Sequence, residues 1–127
     1  MARILIAEDE DSLRVLVARA LTQDGHQVTT AHDGAEALDV LARELDTFDL
    51  LLTDIRMPLM DGIALALAAA RDHPELVILL MTGYADQRER AHGLDALIHD
   101  VITKPFTLAE IRGAVASALA AGTQRKG

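Results

Sequence analysis

The sequence contains no cysteine, no tryptophan and only three aromatic residues, Phe48, Tyr84 and Phe106. The lack of cysteine excludes disulfide bonds and thiolate metal sites. Because aromatic residues are so few, a hydrophobic core must consist mainly of Leu, Ile, Val and Ala. Long apolar runs are absent as well. The longest, Ile63–Ala70, has eight residues, whereas a membrane-spanning helix needs about 20.

Basic residues are also scarce. Twelve Lys and Arg stand against twenty Asp and Glu, which gives a formal net charge of −8. Nucleic acids and anionic membranes bind to basic faces, so we expect neither as a partner. The apolar stretch near the N-terminus, Ile4–Ala7, is too short for a signal peptide. The 127 residues are therefore predicted to form one cytoplasmic domain.

What the sequence does contain is a regular alternation of two patterns. Short apolar runs predict strands at Arg3–Ala7, Gln27–Ala31, Asp49–Thr53, Leu76–Thr82 and Asp100–Thr103. Helical patterns follow these runs at Ser12–Asp24, Ala35–Leu45, Gly62–Asp72, Ala85–Gly93 and Leu108–Ala121. Five βα units in strict alternation predict an α/β fold with a doubly wound parallel sheet and helices on both faces.

The last predicted helix has signals at both ends. Thr107 and Glu110 have the spacing of a capping box. Gly122 stands where a left-handed residue would end the helix. Residues 1–121 are therefore expected to form the domain, and residues 122–127 a short flexible tail.

Polar residues follow the ends of four predicted strands. They are Glu8, Asp9, Asp54, Thr82 and Lys104. Ligands of doubly wound sheets bind outside the carboxyl ends of the strands, so these side chains are expected to meet. Carboxylates about 4 Å apart repel by roughly 4 kcal/mol at an effective dielectric near 20, and oxygen ligands suit Mg²⁺. Taken alone, Glu8 and Asp9 are equally consistent with solvated loop acids, and Lys104 with an ordinary surface lysine.

The same residues suit phosphoryl transfer. Charge spreads over the phosphoryl oxygens in the transition state, so catalysis depends on positioning and on neutralisation by a metal ion and a cation. Asp54 would attack phosphorus in line and form an acyl phosphate. Mg²⁺ and Lys104 would neutralise the oxygens, and the Thr82 hydroxyl could donate a hydrogen bond to one of them.

Several motifs resemble the receiver domain of two-component response regulators, which are CheY-like. They occur between Ala2 and about Ala121, in the order Glu8-Asp9, Asp54 within Thr-Asp-Ile-Arg-Met-Pro-Leu-Met-Asp-Gly, Thr82-Gly83 and Lys104-Pro105-Phe106. The resemblance implies a flavodoxin-like (βα)5 fold with a five-stranded parallel sheet of strand order 2-1-3-4-5. It also implies that Asp54 is phosphorylated from a histidine kinase or a histidine phosphotransferase.

The resemblance implies a role for each site residue. Mg²⁺ would be held by Asp9, Asp54 and the backbone carbonyl of Arg56, with Glu8 binding through water. Phosphoryl transfer and switching would use Thr82 and Lys104. The Lys104–Pro105 peptide bond would be cis.

Two positions depart from the usual pattern of the family. Glu8 stands where Asp is usual, and Val101 stands where an aromatic residue is usual, three residues before Lys104. In the family, the threonine is usually coupled to a rotation of that aromatic side chain. With Val101 in its place, Thr82 lacks this partner. Tyr84 could gate the site instead or be an ordinary loop residue. Arg56 and Tyr84 are candidate modulators of the lifetime of the phosphoryl group.

The chain is most similar to the single-domain CpdR-type regulators of alphaproteobacteria. This resemblance rests on Asp-Ile-Arg-Met-Pro-x-Met-Asp-Gly-Ile and Met-Thr-Gly-Tyr-Ala. It implies an adaptor for the ClpXP protease, with the ClpX unfoldase as a partner in the unphosphorylated state. We expect no output domain and no enzymatic activity. The readout face would include Ala85–Gly93, whose lack of an apolar stripe predicts a weakly held helix.

Other functions remain open. The chain could be a phosphate shuttle or sink in a relay, or a receiver fragment of a larger transcriptional regulator. A Mg²⁺-dependent phosphatase with an aspartyl nucleophile would want a second Asp two residues after Asp54, where Arg56 stands. A flavin carrier would want a phosphate loop and stacking aromatics, whereas Ala7–Ser12 is acidic.

Overall fold

The computed structural model describes residues 2–43, 48–83, 91, 93–94 and 96–126, with side chains up to residue 122. Within these residues the strands are β1 (Arg3–Ala7), β2 (Gln27–Ala31), β3 (Leu50–Asp54), β4 (Val77–Thr82) and β5 (Asp100–Thr103). The helices in the same ranges are α1 (Asp11–Gln23), α2 (Gly34–Arg43), α3 (Gly62–Asp72) and α4 (Leu108–Lys126). The helix predicted at Ala85–Gly93 lies largely outside the described residues.

The strands form one parallel sheet in the order β2-β1-β3-β4-β5, as predicted. Strands β3 and β4 are buried along their whole length, because helices cover both faces of the sheet. Their sequences are correspondingly continuous apolar runs, which is typical of parallel strands. The edge strands β2 and β5 consist mainly of exposed and partly buried residues.

Successive side chains of a strand point to opposite faces, and they divide the core in two. Leu5, Leu51 and Leu80 face the side on which α2 and α3 pack. Ile6 and Leu52 face the side on which α1 and α4 pack. The doubly wound arrangement follows from this division, since each face of the sheet is apolar and must be covered by helices.

The capping box predicted at the start of α4 is confirmed. The amide of Glu110 donates to Thr107 Oγ1 over 3.1 Å, and the amide of Thr107 donates to Glu110 Oε1 over 3.0 Å. Leu108, the first residue of this helix, has an exposed side chain, whereas Ile111 and Val115 are fully buried.

The predicted end of α4 is wrong. The helix continues past Ala121 to Lys126, so Gly122 lies inside it and residues 122–126 are helical. A Cβ at Gly122 would lie 2.6 Å from Val77 Cγ2. Glycine is therefore required there by the close approach of α4 to β4, and not by a helix end. None of the helices in the described ranges is both long and apolar enough to cross a membrane.

Candidate functional site

Four neighbouring strands bring the predicted polar residues to one edge of the sheet. Asp54 is the last residue of β3 and is paired in register with Met81 of β4. Thr82 ends β4 opposite Thr103 of β5. Glu8 follows β1 directly, and Lys104 follows β5. Because the sheet is parallel, all of these carboxyl ends lie on the same side, and the predicted convergence is confirmed for the acids and the lysine.

The ammonium of Lys104 links two buried carboxylates. Nζ donates to Glu8 Oε1 over 2.8 Å and to Asp54 Oδ2 over 3.0 Å. Glu8 and Asp54 are only 1% and 6% exposed. The sequence analysis assigned Glu8 only to Mg²⁺, through water, and did not predict its direct bond to Lys104.

Glu8 is also held on its other side. Its Oε2 accepts a hydrogen bond from the amide of Glu10 over 3.2 Å. Its backbone carbonyl accepts one from Arg14 Nη1 over 2.9 Å. Sequence analysis missed Arg14, because its acceptor is a backbone carbonyl, which has no signature in the sequence. The β1–α1 loop is thereby fixed around the carboxylate that meets Lys104.

The surroundings shift the pKa values of both Glu8 and Lys104. Burial raises the pKa of the Glu8 carboxyl to about 7; the hydrogen bond from Lys104 opposes this rise, and the negative charge of Asp54 adds to it. Burial acts to lower the pKa of Lys104, but the hydrogen bonds that its ammonium donates to Glu8 and Asp54 outweigh burial, and the pKa is raised. Lys104 is therefore a permanent cation at this site.

Three carboxylates, those of Glu8, Asp9 and Asp54, form a group that could hold a metal ion. One oxygen from each lies within 4.8 Å of the others. Charges at that spacing repel by about 3 kcal/mol per pair at an effective dielectric near 20. With all three ionised and Lys104 counted, the group carries a net charge of about −2, which a divalent cation would neutralise. Asp9 is exposed, so one side of the group is open to solvent, and the donor set fits Mg²⁺.

The β3–α3 loop closes tightly against the end of β3. The amide of Gly62 donates to the carbonyl of Ile55 over 2.7 Å. A Cβ at Gly62 would lie 2.0 Å from the backbone oxygen of Asp54, so only glycine allows this approach. Between these anchors Leu59 has φ 70° and is 85% exposed. The left-handed region costs a residue with a side chain about 1–2 kcal/mol.

The remaining predicted positions lie around this centre. Thr82 is buried and Arg56 has an exposed side chain. Val101 is partly buried and packs against the core on the α2 and α3 side. The Lys104–Pro105 peptide bond is cis. Tyr84 lies outside the described residues, and its proposed gating remains a prediction.

A cavity of about 320 Å³ adjoins the site on its α1 side. It is lined by Glu10, Leu13, Lys104, Pro105 and Phe106. The surroundings of the Lys104 side chain therefore include apolar side chains as well as acids.

A doubly wound α/β fold with three acids and a lysine at the carboxyl ends of its strands is typical of proteins that bind ions or phosphoryl groups there. The model of the response regulator receiver domain family matches residues 4–116. The chain belongs to this family, and the predicted fold and family are confirmed.

Known relatives agree with this assignment. The chain is 38% identical over 109 residues to response regulator MprA of Mycobacterium avium, covering 86% of this chain and 47% of that protein. The chain thus spans about half the length of the curated relatives it matches.

Among solved structures, it superposes with TM-score 0.89 on a CheY-like receiver domain protein from Methanospirillum hungatei, at 27% identity over 100% of this chain and 99% of that one. It superposes with TM-score 0.81 on TrrA of Thermotoga maritima in complex with Mg(2+)-BeF, at 28% identity over 93% and 99% of the two chains.

Proposed function

We propose that the chain is a Mg²⁺-dependent phosphoryl acceptor of a two-component phosphorelay, with Asp54 as the phosphorylated residue. The observation that carries this proposal is the Lys104 ammonium, 3.0 Å from Asp54 Oδ2 at the mouth of a buried strand. A nucleophilic carboxylate lies next to a cation that can neutralise developing charge, which supports a role in phosphoryl transfer. The family assignment supports the same role.

The proposed reaction uses the residues as follows. An Asp54 carboxylate oxygen attacks the phosphorus of a phosphohistidine. A P–O bond forms, the P–N bond breaks, and the donor imidazole takes up a proton as it leaves. Lys104 neutralises charge on a phosphoryl oxygen, and it can keep its bond to Glu8 because an ammonium has three N–H donors. The Thr82 hydroxyl donates to a second phosphoryl oxygen.

Mg²⁺ is the proposed cofactor. Its ligands would be Asp9, Asp54 and the backbone carbonyl of Arg56, with Glu8 through water. When bound, the ion supplies charge neutralisation to the phosphoryl oxygens. TrrA, a relative by structure, has been crystallised with Mg(2+)-BeF, which supports the same chemistry here.

The proposal is tested with a small-molecule phosphodonor such as acetyl phosphate and Mg²⁺. Mass spectrometry should locate a base-labile acyl phosphate on Asp54 of the wild type, with none on the Asp54→Asn variant. Asp72→Asn, which alters an exposed carboxylate at the end of α3, is the control and should be phosphorylated like the wild type. Phosphorylation of Asp54→Asn to the wild-type level would refute the proposal.

Lys104→Met separates the role of the lysine from that of the metal ion. The phosphorylation rate should fall by at least tenfold, because a cation that stabilises the transition state is lost. Mg²⁺ affinity, measured by calorimetry, should rise, because a positive charge beside the carboxylates is removed. A parallel fall in both quantities would mean that Lys104 only maintains the structure of the site.

We further propose that phosphorylation switches a protein-binding surface comprising β5, α4 and residues 85–93. Phosphorylation adds about one to two negative charges beside Thr82 and Lys104, and the loops that carry these residues would respond. Hydrogen exchange of backbone amides over residues 82–106 should change on phosphorylation. Unchanged exchange throughout this range would contradict the switch.

The proposed effector is the ClpX unfoldase, with the unphosphorylated chain acting as an adaptor for ClpXP in the cytoplasm. This proposal rests on the resemblance to CpdR-type regulators. A pull-down should compare the wild type with Asp54→Ala, which cannot be phosphorylated. Capture of ClpX by the variant would support the adaptor. Capture of kinases and phosphotransferases alone would favour a phosphate shuttle or sink.

A second candidate function is that of the receiver part of a longer regulator. It is favoured by the length of the curated relatives, about twice that of this chain. The mass of the protein isolated from its source would distinguish a single-domain protein from a longer regulator.

Arg56→Ala would test the proposed control of phosphoryl lifetime, since dephosphorylation should accelerate if Arg56 hinders the attacking water.

A further inference from the structure

Leu59 combines two features that folding alone does not favour. Its φ of 70° lies in the left-handed region, where a Cβ crowds the following carbonyl oxygen. Its side chain is 85% exposed, more than any other large hydrophobic residue in the described part of the chain. Glycine or asparagine would suit this backbone conformation better. Packing in the chain's own core therefore does not explain why leucine occupies this position.

The loop that carries Leu59 is anchored on both sides. Gly62 lies against the backbone of Asp54 and donates to the carbonyl of Ile55. The carbonyl of Met60 packs against Gly34, where a Cβ would lie 2.2 Å away. Leu59 is three residues from Gly62 and so at most about 11 Å from it. Leu59 is thus anchored within about 11 Å of the glycine that touches the backbone of Asp54.

Asp54 itself is 6% exposed, so a protein that delivers a phosphoryl group must cover the surface around it. A standard protein interface covers about 800 Å² per partner, which corresponds to a patch of about 16 Å radius. A patch of that size centred on Asp54 includes Leu59. We propose that Leu59 is a specificity-determining contact for the phosphodonor protein, packing against an apolar surface beside the donor's phosphohistidine. This inference rests on the proposed phosphoacceptor function.

The test compares two phosphodonors. One is a purified, phosphorylated histidine kinase that phosphorylates the wild-type chain; the other is acetyl phosphate. Leu59→Gly and Leu59→Asn both keep a favourable backbone, so folding is preserved. Each should lower kcat/KM for transfer from the kinase about tenfold and leave the rate with acetyl phosphate within about twofold. Leu97→Asn, which alters another exposed leucine just before β5 and so at the opposite edge of the sheet, is the matched control and should change neither rate.

The outcomes are distinct. Unchanged transfer from the kinase in both Leu59 variants would overturn the inference, and so would an equal loss with both donors. Loss of self-association in Leu59→Asn with unchanged transfer, measured by sedimentation, would assign Leu59 to a contact with a second copy and overturn the donor assignment. Failure of acetyl phosphate to modify Asp54 in the wild type would instead count against the proposed function.

Discussion

Replacing Glu8 by glutamine should change the pH dependence of stability of the metal-free protein. The pKa of Glu8 is raised from 4.5 to about 7 in the folded chain, mainly by burial. A group whose pKa is raised on folding contributes stability that is complete below pH 4.5 and is lost as the pH rises through 7. Ionised Glu8 therefore opposes folding above neutrality. Glutamine keeps the shape and an acceptor for Lys104 but cannot ionise.

The size of the effect follows from the shift. The rise from 4.5 to about 7 corresponds to about 3 kcal/mol in total, at about 1.4 kcal/mol per unit of pKa. Between about pH 5 and pH 8 the wild type should lose about 2–3 kcal/mol of stability that Glu8→Gln retains. Other titrating groups cancel when the two chains are compared at each pH. Since a domain of this size is stabilised by about 5–15 kcal/mol in total, the difference is readily measured by urea unfolding in EDTA.

The assay has a second arm. Asp54→Asn removes the negative charge that adds to the pKa rise of Glu8, so the pH-dependent effect of Glu8→Gln should be smaller when both chains also carry Asp54→Asn. A free energy difference between wild type and Glu8→Gln that is the same at both pH values would refute the reasoning. It would mean that Glu8 is ionised in the folded chain over the whole range.

Two glycines of α4 provide a matched pair, and a third tests the β3–α3 loop. Gly122→Ala should destabilise folding by about 1–2 kcal/mol because its Cβ meets Val77. Gly113→Ala, with open space around it, should stabilise by about 0.5–1 kcal/mol through helix propensity; equal effects in urea unfolding would contradict the packing argument. Gly62→Ala should destabilise folding by about 3 kcal/mol or more, because the added Cβ meets the backbone of Asp54 and would displace it. The same displacement should weaken Mg²⁺ binding. An unchanged Mg²⁺ affinity in calorimetry would contradict this expected displacement of Asp54.

Sequence reasoning predicted the fold well because its main signals are local. Apolar runs such as Leu50–Leu52 lie in strands buried on both faces, and the Thr107 cap depends on residues three apart. Contacts between distant segments left no such signal. The Glu8–Lys104 bond joins residues 96 apart in sequence. The role of Gly122 depends on where α4 crosses β4. The left-handed backbone at Leu59 could not be predicted either, because leucine normally avoids that conformation.

The route by which phosphorylation would be transmitted follows from what Val101 can do. It packs against the core on the α2 and α3 side and is partly buried. A β-branched valine has one side-chain torsion and a strong rotamer preference, so its rotation moves only two methyl groups. An aromatic side chain at the same place could swing between a buried and an exposed position. A signal from a phosphorylated Asp54 would therefore leave mainly through the two groups proposed to contact the new charge, Lys104 and Thr82. Hydrogen exchange should accordingly change more at residues 104–107 than at Val101.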